Sequence, residues 1–234
     1  MKTNQLLYFC LLFFVVAACN QKTATEENNK TTKLETESAE KQAIKKPSKA
    51  KNLVQLELGS ELPMTDLKMK DGAGKELSIN DVKRKNGLLL MFSCNTCPYV
   101  VAWEDRYPEI AKYCQLQDVG MLVVNPNEKQ RDGVDSADEM KKHAEEQKYN
   151  FPYLIDENHK LADAIGATRT PELFLFDKDL KLVYKGAIDD NMKEPEKVEN
   201  FYVKNAVNKM IKGEPIDPSI TKSIGCTIKR TQKI

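Results

Sequence analysis

The sequence predicts an α/β domain, a mixed sheet with helices on both faces. Two observations carry this. The runs "GLLLMFS" (87–93) and "VGMLVVN" (119–125) are apolar without alternation, as expected of strands buried on both sides. Strand-like and helix-period segments alternate through the middle of the chain, and a hairpin and a closing helix follow.

The elements come in order. "ELPMTDLKMKDGAGKELSI" (61–79) offers a short strand, a "DGAG" turn and a second strand. "SINDVK" opens with Ser78 and has Asp81 three residues on, the pattern of a capped helical turn. After the first buried strand, a helix is expected from Pro98 to about Gln117. Its residues Trp103, Tyr107, Ile110 and Cys114 share one face. The second buried strand leads to a polar helix, Ser136 to Tyr149, capped by Ser136 with Glu139 three residues later. "FPYLID" (151–156) reads as a strand, and "NHKLADAIG" (158–166) as a helix ended by Gly166. "PELFLFD" and "KLVYKGAI", joined by "KDLK", form the hairpin. "EPEKVENFYVKNAVNKMIKG" (194–213) is the closing helix, with Pro195 near its start and Gly213 past its end.

The chain begins outside this pattern. Lys2 precedes an apolar run from Leu6 to Ala18; at roughly 13 residues it falls short of the about 20 that span a bilayer, and it reads as a secretory signal peptide. Its ending, "VAAC", resembles the bacterial lipobox, which implies that residues 1–18 are removed and that Cys19 carries lipid. An ordinary signal peptide cleaved elsewhere is the alternative. Residues 19–52 are rich in Lys, Glu, Thr and Asn and carry no aromatic residue, so they read as a disordered tether. Residues 53–234 are then one domain of ordinary size. A formal charge of +1 with interspersed signs gives no footprint for nucleic acid.

With Cys10 removed and Cys19 lipidated, four thiols remain: Cys94, Cys97, Cys114 and Cys226. They are too few for a disulfide scaffold, so the core must come from apolar burial, and export would expose them to an oxidising compartment. The stretch "FSCNTCPYV" (92–100) sets a Cys-x-x-Cys pair where a buried strand runs into a helix. Unpaired N–H groups at a helix start favour thiolate, and such placement lowers a cysteine pKa from about 8.5 into a range of roughly 3.5 to 7.5. One thiolate can attack a disulfide while the other resolves the mixed disulfide.

Here the chain resembles the thioredoxin-fold redoxins, in particular the peroxiredoxin-like (AhpC/TSA) branch. The resembling pieces are "GSELP" (59–63), "MFSCNTCPYV" (91–100), "FPYLIDENHKLADAIGA" (151–167), "TRTPELFLFD" (168–177), "YKGAIDD" (184–190) and "SIGCTIK" (223–229). The resemblance implies a thioredoxin fold and catalytic cysteines at the start of a helix. It also implies a cis-proline opposite them, carried by Pro171, which would expose the backbone of Thr170 for an extended substrate. In two places the chain departs from the pattern. Ser93 stands where thioredoxins have tryptophan; the single tryptophan, Trp103, is expected in the core. "CP" at 97–98 fits the peroxiredoxin pattern, but Cys94 stands where that pattern has threonine. Pro98 is comfortable if Cys97 is the helix cap. Either cysteine can therefore be the nucleophile, and the reading taken is Cys94 attacking and Cys97 resolving.

The other reactive residues have plainer expectations. Cys114 is read as a buried, inert thiol. Cys226 is read as structural, with a resolving role as the alternative. His143 is assigned to a solvated helix face and His159 to the surface, while Arg106 and Arg169 either flank a thiolate or lie on the surface. A Cu(I) carrier would need Cys94, Cys97 and His159; no zinc set is expected, and "DGAGK" is a turn rather than a phosphate loop.

The expectation is thus a lipid-anchored thiol–disulfide oxidoreductase of the cell envelope. The alternatives are a thiol peroxidase or, less well supported, a Cu(I) carrier. Its partners would be protein or small-molecule disulfides or hydroperoxides and a thiol reductant. No cofactor is required, because the dithiol carries the electrons.

Overall fold

The computed structural model describes residues 53–231. The leader, Cys19 and all of the tether lie outside the described residues.

Strands β1 (Met69–Lys70) and β2 (Glu76–Leu77) form a small antiparallel ladder around the "DGAG" turn. The one-turn helix α1 (Ile79–Val82) follows, with Ser78 and Asp81 forming the reciprocal cap. Strand β3 (Leu88–Phe92) then leads to α2 (Pro98–Val101) and α3 (Tyr107–Leu116). Next come β4 (Gly120–Asn125), α4 (Ala137–Glu146), β5 (Tyr153–Ile155) and α5 (Lys160–Ile165). The chain continues through β6 (Arg169–Thr170), β7 (Glu172–Phe176), β8 (Leu182–Gly186), α6 (Tyr202–Lys212) and β9 (Cys226–Thr227).

The central sheet has the order β5-β4-β3-β7-β8. The pairs β3/β4 and β4/β5 are parallel, and β3/β7 and β7/β8 are antiparallel, so the sheet is mixed. Every residue of β3, β4 and β7 is buried, which is why these strands read as unbroken apolar runs. Alternate side chains feed two cores. Leu89 and Met91 pack with Trp103, Tyr107, Ile110, Val203 and Val207 on one face. Leu88, Leu90 and Phe92 pack with Ile79, Leu161 and Ile165 on the other.

Three helices differ from expectation. The segment after Pro98 is not one helix: α2 ends at Val101, and a 3-10 turn (Glu104–Arg106) precedes α3. Pro108 explains the break, because it has no N–H to give and its ring crowds the preceding turn. The closing helix begins at Tyr202 rather than near Pro195, which sits in a separate 3-10 turn. Asp190 accepts the N–H groups of Glu199 and Asn200, at 3.1 and 3.0 Å, that a continuous helix would have used internally. Likewise α4 stops at Glu146, and Lys148 takes φ +54°.

Neither histidine is simply solvated: His159 is buried and His143 is half-buried. Glu104, itself buried, holds His143 Nε2 at 2.8 Å. His159 Nδ1 lies 3.0 Å from Asp163 Oδ2. Each imidazole has a carboxylate partner, which is what permits burial.

Candidate active site

The central strand β3 ends at Phe92, and the chain turns through Ser93–Thr96 into α2. Cys97 is the N-cap of α2 in an extended conformation, and Pro98 occupies the first turn, where its missing N–H costs nothing. Cys94 and Cys97 are 3% and 5% exposed, free thiols on the α2/α3 face of the core. Opposite them, the Thr170–Pro171 peptide bond is cis.

Thr170 is fully buried and touches both sulfurs. Its hydroxyl is 3.3 Å from Cys94 Sγ, and its carbonyl oxygen is 3.2 Å from Cys97 Sγ. Each thiol is also the largest influence on the other, and their acidities diverge. Cys97 is pulled below the ordinary thiol range, first by the hydrogen bond from Cys94 and further by Cys226 and the Val100 N–H. Burial and the Thr170 carbonyl oppose ionisation at Cys97, but the donors outnumber them. Cys94 is pushed well above the ordinary range by its bond to Cys97, by burial and by the Asp135 carboxylate. The site therefore favours thiolate at Cys97 and thiol at Cys94. A four-residue helix carries little macrodipole, so the preference comes from individual donors rather than from α2 as a whole.

The dipeptide between the cysteines is held by a polar network that sequence reasoning missed. Asn95 N–H donates to Asp135 Oδ1 at 2.9 Å, and Tyr153 hydroxyl donates to Asn95 Oδ1 at 2.9 Å. Asn125 and Asn127 amides donate to Asp135 at 2.9 and 3.0 Å. Asp135 is fully buried, and its multiple donors compensate its lost hydration. No spacing links Asn95, Asn125, Asp135 and Tyr153 in sequence; they meet because β3, β4 and β5 are neighbours.

The remaining candidates divide. Cys114 is fully buried, and burial pushes its thiol up to about 12. Arg106 does not serve a thiolate: it is buried and paired with Asp189, which also accepts from Trp103 Nε1 at 2.9 Å. Arg169 donates to the Gly225 carbonyl at 3.0 Å. His159 faces Asp163, and among the described residues no three His, Cys, Asp or Glu side chains form a metal-binding group.

One expectation is overturned outright. The backbone of Thr170 is not open to an extended partner, because β6 pairs antiparallel with β9 in the register Thr170↔Cys226 and Arg169↔Thr227. An unpaired edge would leave backbone donors and acceptors unmet; the chain's own C-terminal segment satisfies them.

The family model described as "AhpC/TSA family" matches residues 59–185. The chain is 32% identical to an uncharacterized conserved protein from Geobacillus kaustophilus, with TM-score 0.68 over 77% of this chain and 95% of that one. A hypothetical protein of Sinorhizobium meliloti is 28% identical with the same TM-score of 0.68, over 76% and 97% of the two chains. The thioredoxin domain of a thiol–disulfide oxidoreductase from Bacteroides vulgatus shares the fold at 20% identity, TM-score 0.51, over 67% and 99%. No curated protein is similar enough to count as a match.

Proposed function

The chain belongs to the AhpC/TSA family and has a thioredoxin fold, and from that premise we propose that it is a thiol–disulfide oxidoreductase whose nucleophile is Cys97. The observation that carries this reading is the meeting of both buried sulfurs at Thr170, 3.3 Å from its hydroxyl and 3.2 Å from its carbonyl oxygen, with Cys97 at the α2 cap as the sulfur favoured as thiolate. It reverses the order expected from sequence, in which Cys94 attacks.

Cys97 thiolate attacks a substrate disulfide, forming a Cys97–substrate bond and expelling the other substrate sulfur as thiolate. Cys94 then attacks Cys97 Sγ. The Cys94–Cys97 bond forms, the substrate bond breaks, and the proton from Cys94 passes to the departing sulfur. The first cause of the raised Cys94 pKa, its bond to an anionic Cys97, disappears once Cys97 is in the mixed disulfide. Each step thus prepares the next. Thr170 holds both sulfurs throughout, and a thiol reductant restores the dithiol.

Family membership and the same thiolate also support a second reading, a thiol peroxidase. A hydroperoxide would oxidise Cys97 to sulfenic acid, and Cys94 would condense with it, releasing water. A lipid-anchored location in the cell envelope is supported by the leader and by "VAAC" at 16–19; replacement Cys19→Ser should move the protein from the membrane fraction to the soluble one.

The deciding experiment uses the full-length chain with Cys94 and Cys226 replaced by serine, reduced and then exposed to oxidised glutathione or to hydrogen peroxide. The expected result by intact mass is a stable glutathione adduct mapped to Cys97, abolished by Cys97→Ser. Fast gain of one oxygen at Cys97 with no glutathione adduct would establish the peroxidase instead.

A further inference from the structure

Three of the free thiols converge on one residue. Cys94 and Cys97 touch the Thr170 side chain and carbonyl, and Cys226 is the register partner of Thr170 across the β6/β9 ladder. Cys226 is partly buried and packs against the core cluster that contains the other two sulfurs.

The segment that brings Cys226 there is tightly seated. Ile228 N–H donates to the Thr168 carbonyl at 3.1 Å, and Lys229 N–H donates to Asn127 Oδ1 at 2.8 Å. Arg230 donates to Asp163 at 2.8 Å and to the Ala167 carbonyl at 2.6 Å. Gly225 lies so close to the cis-proline segment that an added Cβ would fall 2.4 Å from the Thr170 oxygen. Thus β9 fills the position in which an extended peptide would add to this edge, and it carries a cysteine into that position.

We propose that β9 is a built-in substrate strand and that Cys226 is a third redox thiol of the site, receiving the disulfide from the buried pair. This rests on the dithiol reading above. In the step, Cys226 as thiolate attacks Cys97 Sγ in the Cys94–Cys97 disulfide. The Cys97–Cys226 bond forms and the Cys94–Cys97 bond breaks. Cys94 leaves as thiolate and takes up the proton that Cys226 gave. The protein neither gains nor loses electrons; the disulfide moves from two sulfurs almost closed to solvent onto a more exposed one, where an external thiol has better access.

The timing follows from the geometry. In the reduced site, burial and then contact with Cys97 push the Cys226 thiol up to about 11, so it does not compete as a nucleophile. Oxidation of Cys97 removes the second of those causes and frees Cys226 to act.

The test compares two full-length variants, both exposed to oxidised glutathione and mapped by peptide mass without reduction. The Cys94→Ser/Cys226→Ser chain should keep glutathione on Cys97. The Cys94→Ser chain, which retains Cys226, should lose that adduct and yield a Cys97–Cys226 cross-linked peptide, also recovered from oxidised wild type. If the adduct persists equally in both variants and no such peptide forms, Cys226 is structural and the proposal fails while the dithiol reading stands. If neither variant takes up glutathione at Cys97, the dithiol reading fails and this proposal falls with it.

Discussion

At the scale of single residues, the site separates two chemically identical groups by what surrounds each. Cys97 gathers donors from Cys94, Cys226 and Val100, whereas Cys94 faces Asp135 and deeper burial. Alkylation of Cys97 by iodoacetamide should therefore stay fast as pH falls below the ordinary thiol pKa of about 8.5. Replacement Cys94→Ala, which removes the largest cause, should push that profile back up. The linkage has a definite sign. Because the folded pKa of Cys97 lies below its unfolded value, its contribution is complete above about 8.5 and is lost as pH falls through the folded pKa. Reduced wild type should accordingly gain stability over Cys97→Ser as pH rises through that window, as measured by urea unfolding. The Cys-x-x-Cys spacing was legible in the sequence, and so was Pro98 as a marker of the helix start. Which sulfur ionises was not, because Asp135 and Cys226 lie far from the pair along the chain.

At the scale of elements, local signals succeeded where the partners were local. The Ser78–Asp81 cap, the Ser136 cap of α4 and the αL glycines at the ends of α5 and α6 all follow from neighbouring residues. They failed where a distant group intervened, as when Asp190 took the N–H groups ahead of α6. The Arg106–Asp189 pair ties the turn before α3 to the loop after β8, and both partners are buried. Replacement Asp189→Ala leaves the guanidinium uncompensated and should cost about 3–5 kcal/mol in a denaturation measurement. Asp156 accepts the N–H groups of Leu161 and Ala162 at 2.9 Å each and anchors the start of α5. Burial nevertheless raises its pKa to about 6. The folded value lies above the unfolded one of about 3.9, so the stability it contributes is present below that value and lost as pH rises through about 6. The stability of wild type relative to Asp156→Asn should fall over that interval.

At the scale of the whole molecule, the proposed redox chemistry of Cys94 and Cys97 would be coupled to the stability of the domain. Donors that favour Cys97 thiolate stabilise the reduced protein and have no such anion to stabilise in the Cys94–Cys97 disulfide. The reduced protein should therefore unfold at higher urea concentration than the oxidised one, a difference that equally makes the pair a stronger oxidant. The opposite order of unfolding midpoints would show that cross-linking the pair outweighs the thiolate. By itself, the sequence determined the class of fold and singled out Cys94 and Cys97 as the candidate pair. Unbroken apolar runs, helix spacing, caps and turns are written in neighbouring residues, and hydrophobic burial is insensitive to which distant side chain supplies the contact. Only the tertiary structure decided that β9 closes the edge at Thr170, that each histidine packs onto a carboxylate, and that Cys97 rather than Cys94 is favoured as thiolate. Those outcomes depend on hydrogen bonds and charges between segments far apart in the chain. Such interactions are directional and short in range, and no local pattern encodes them.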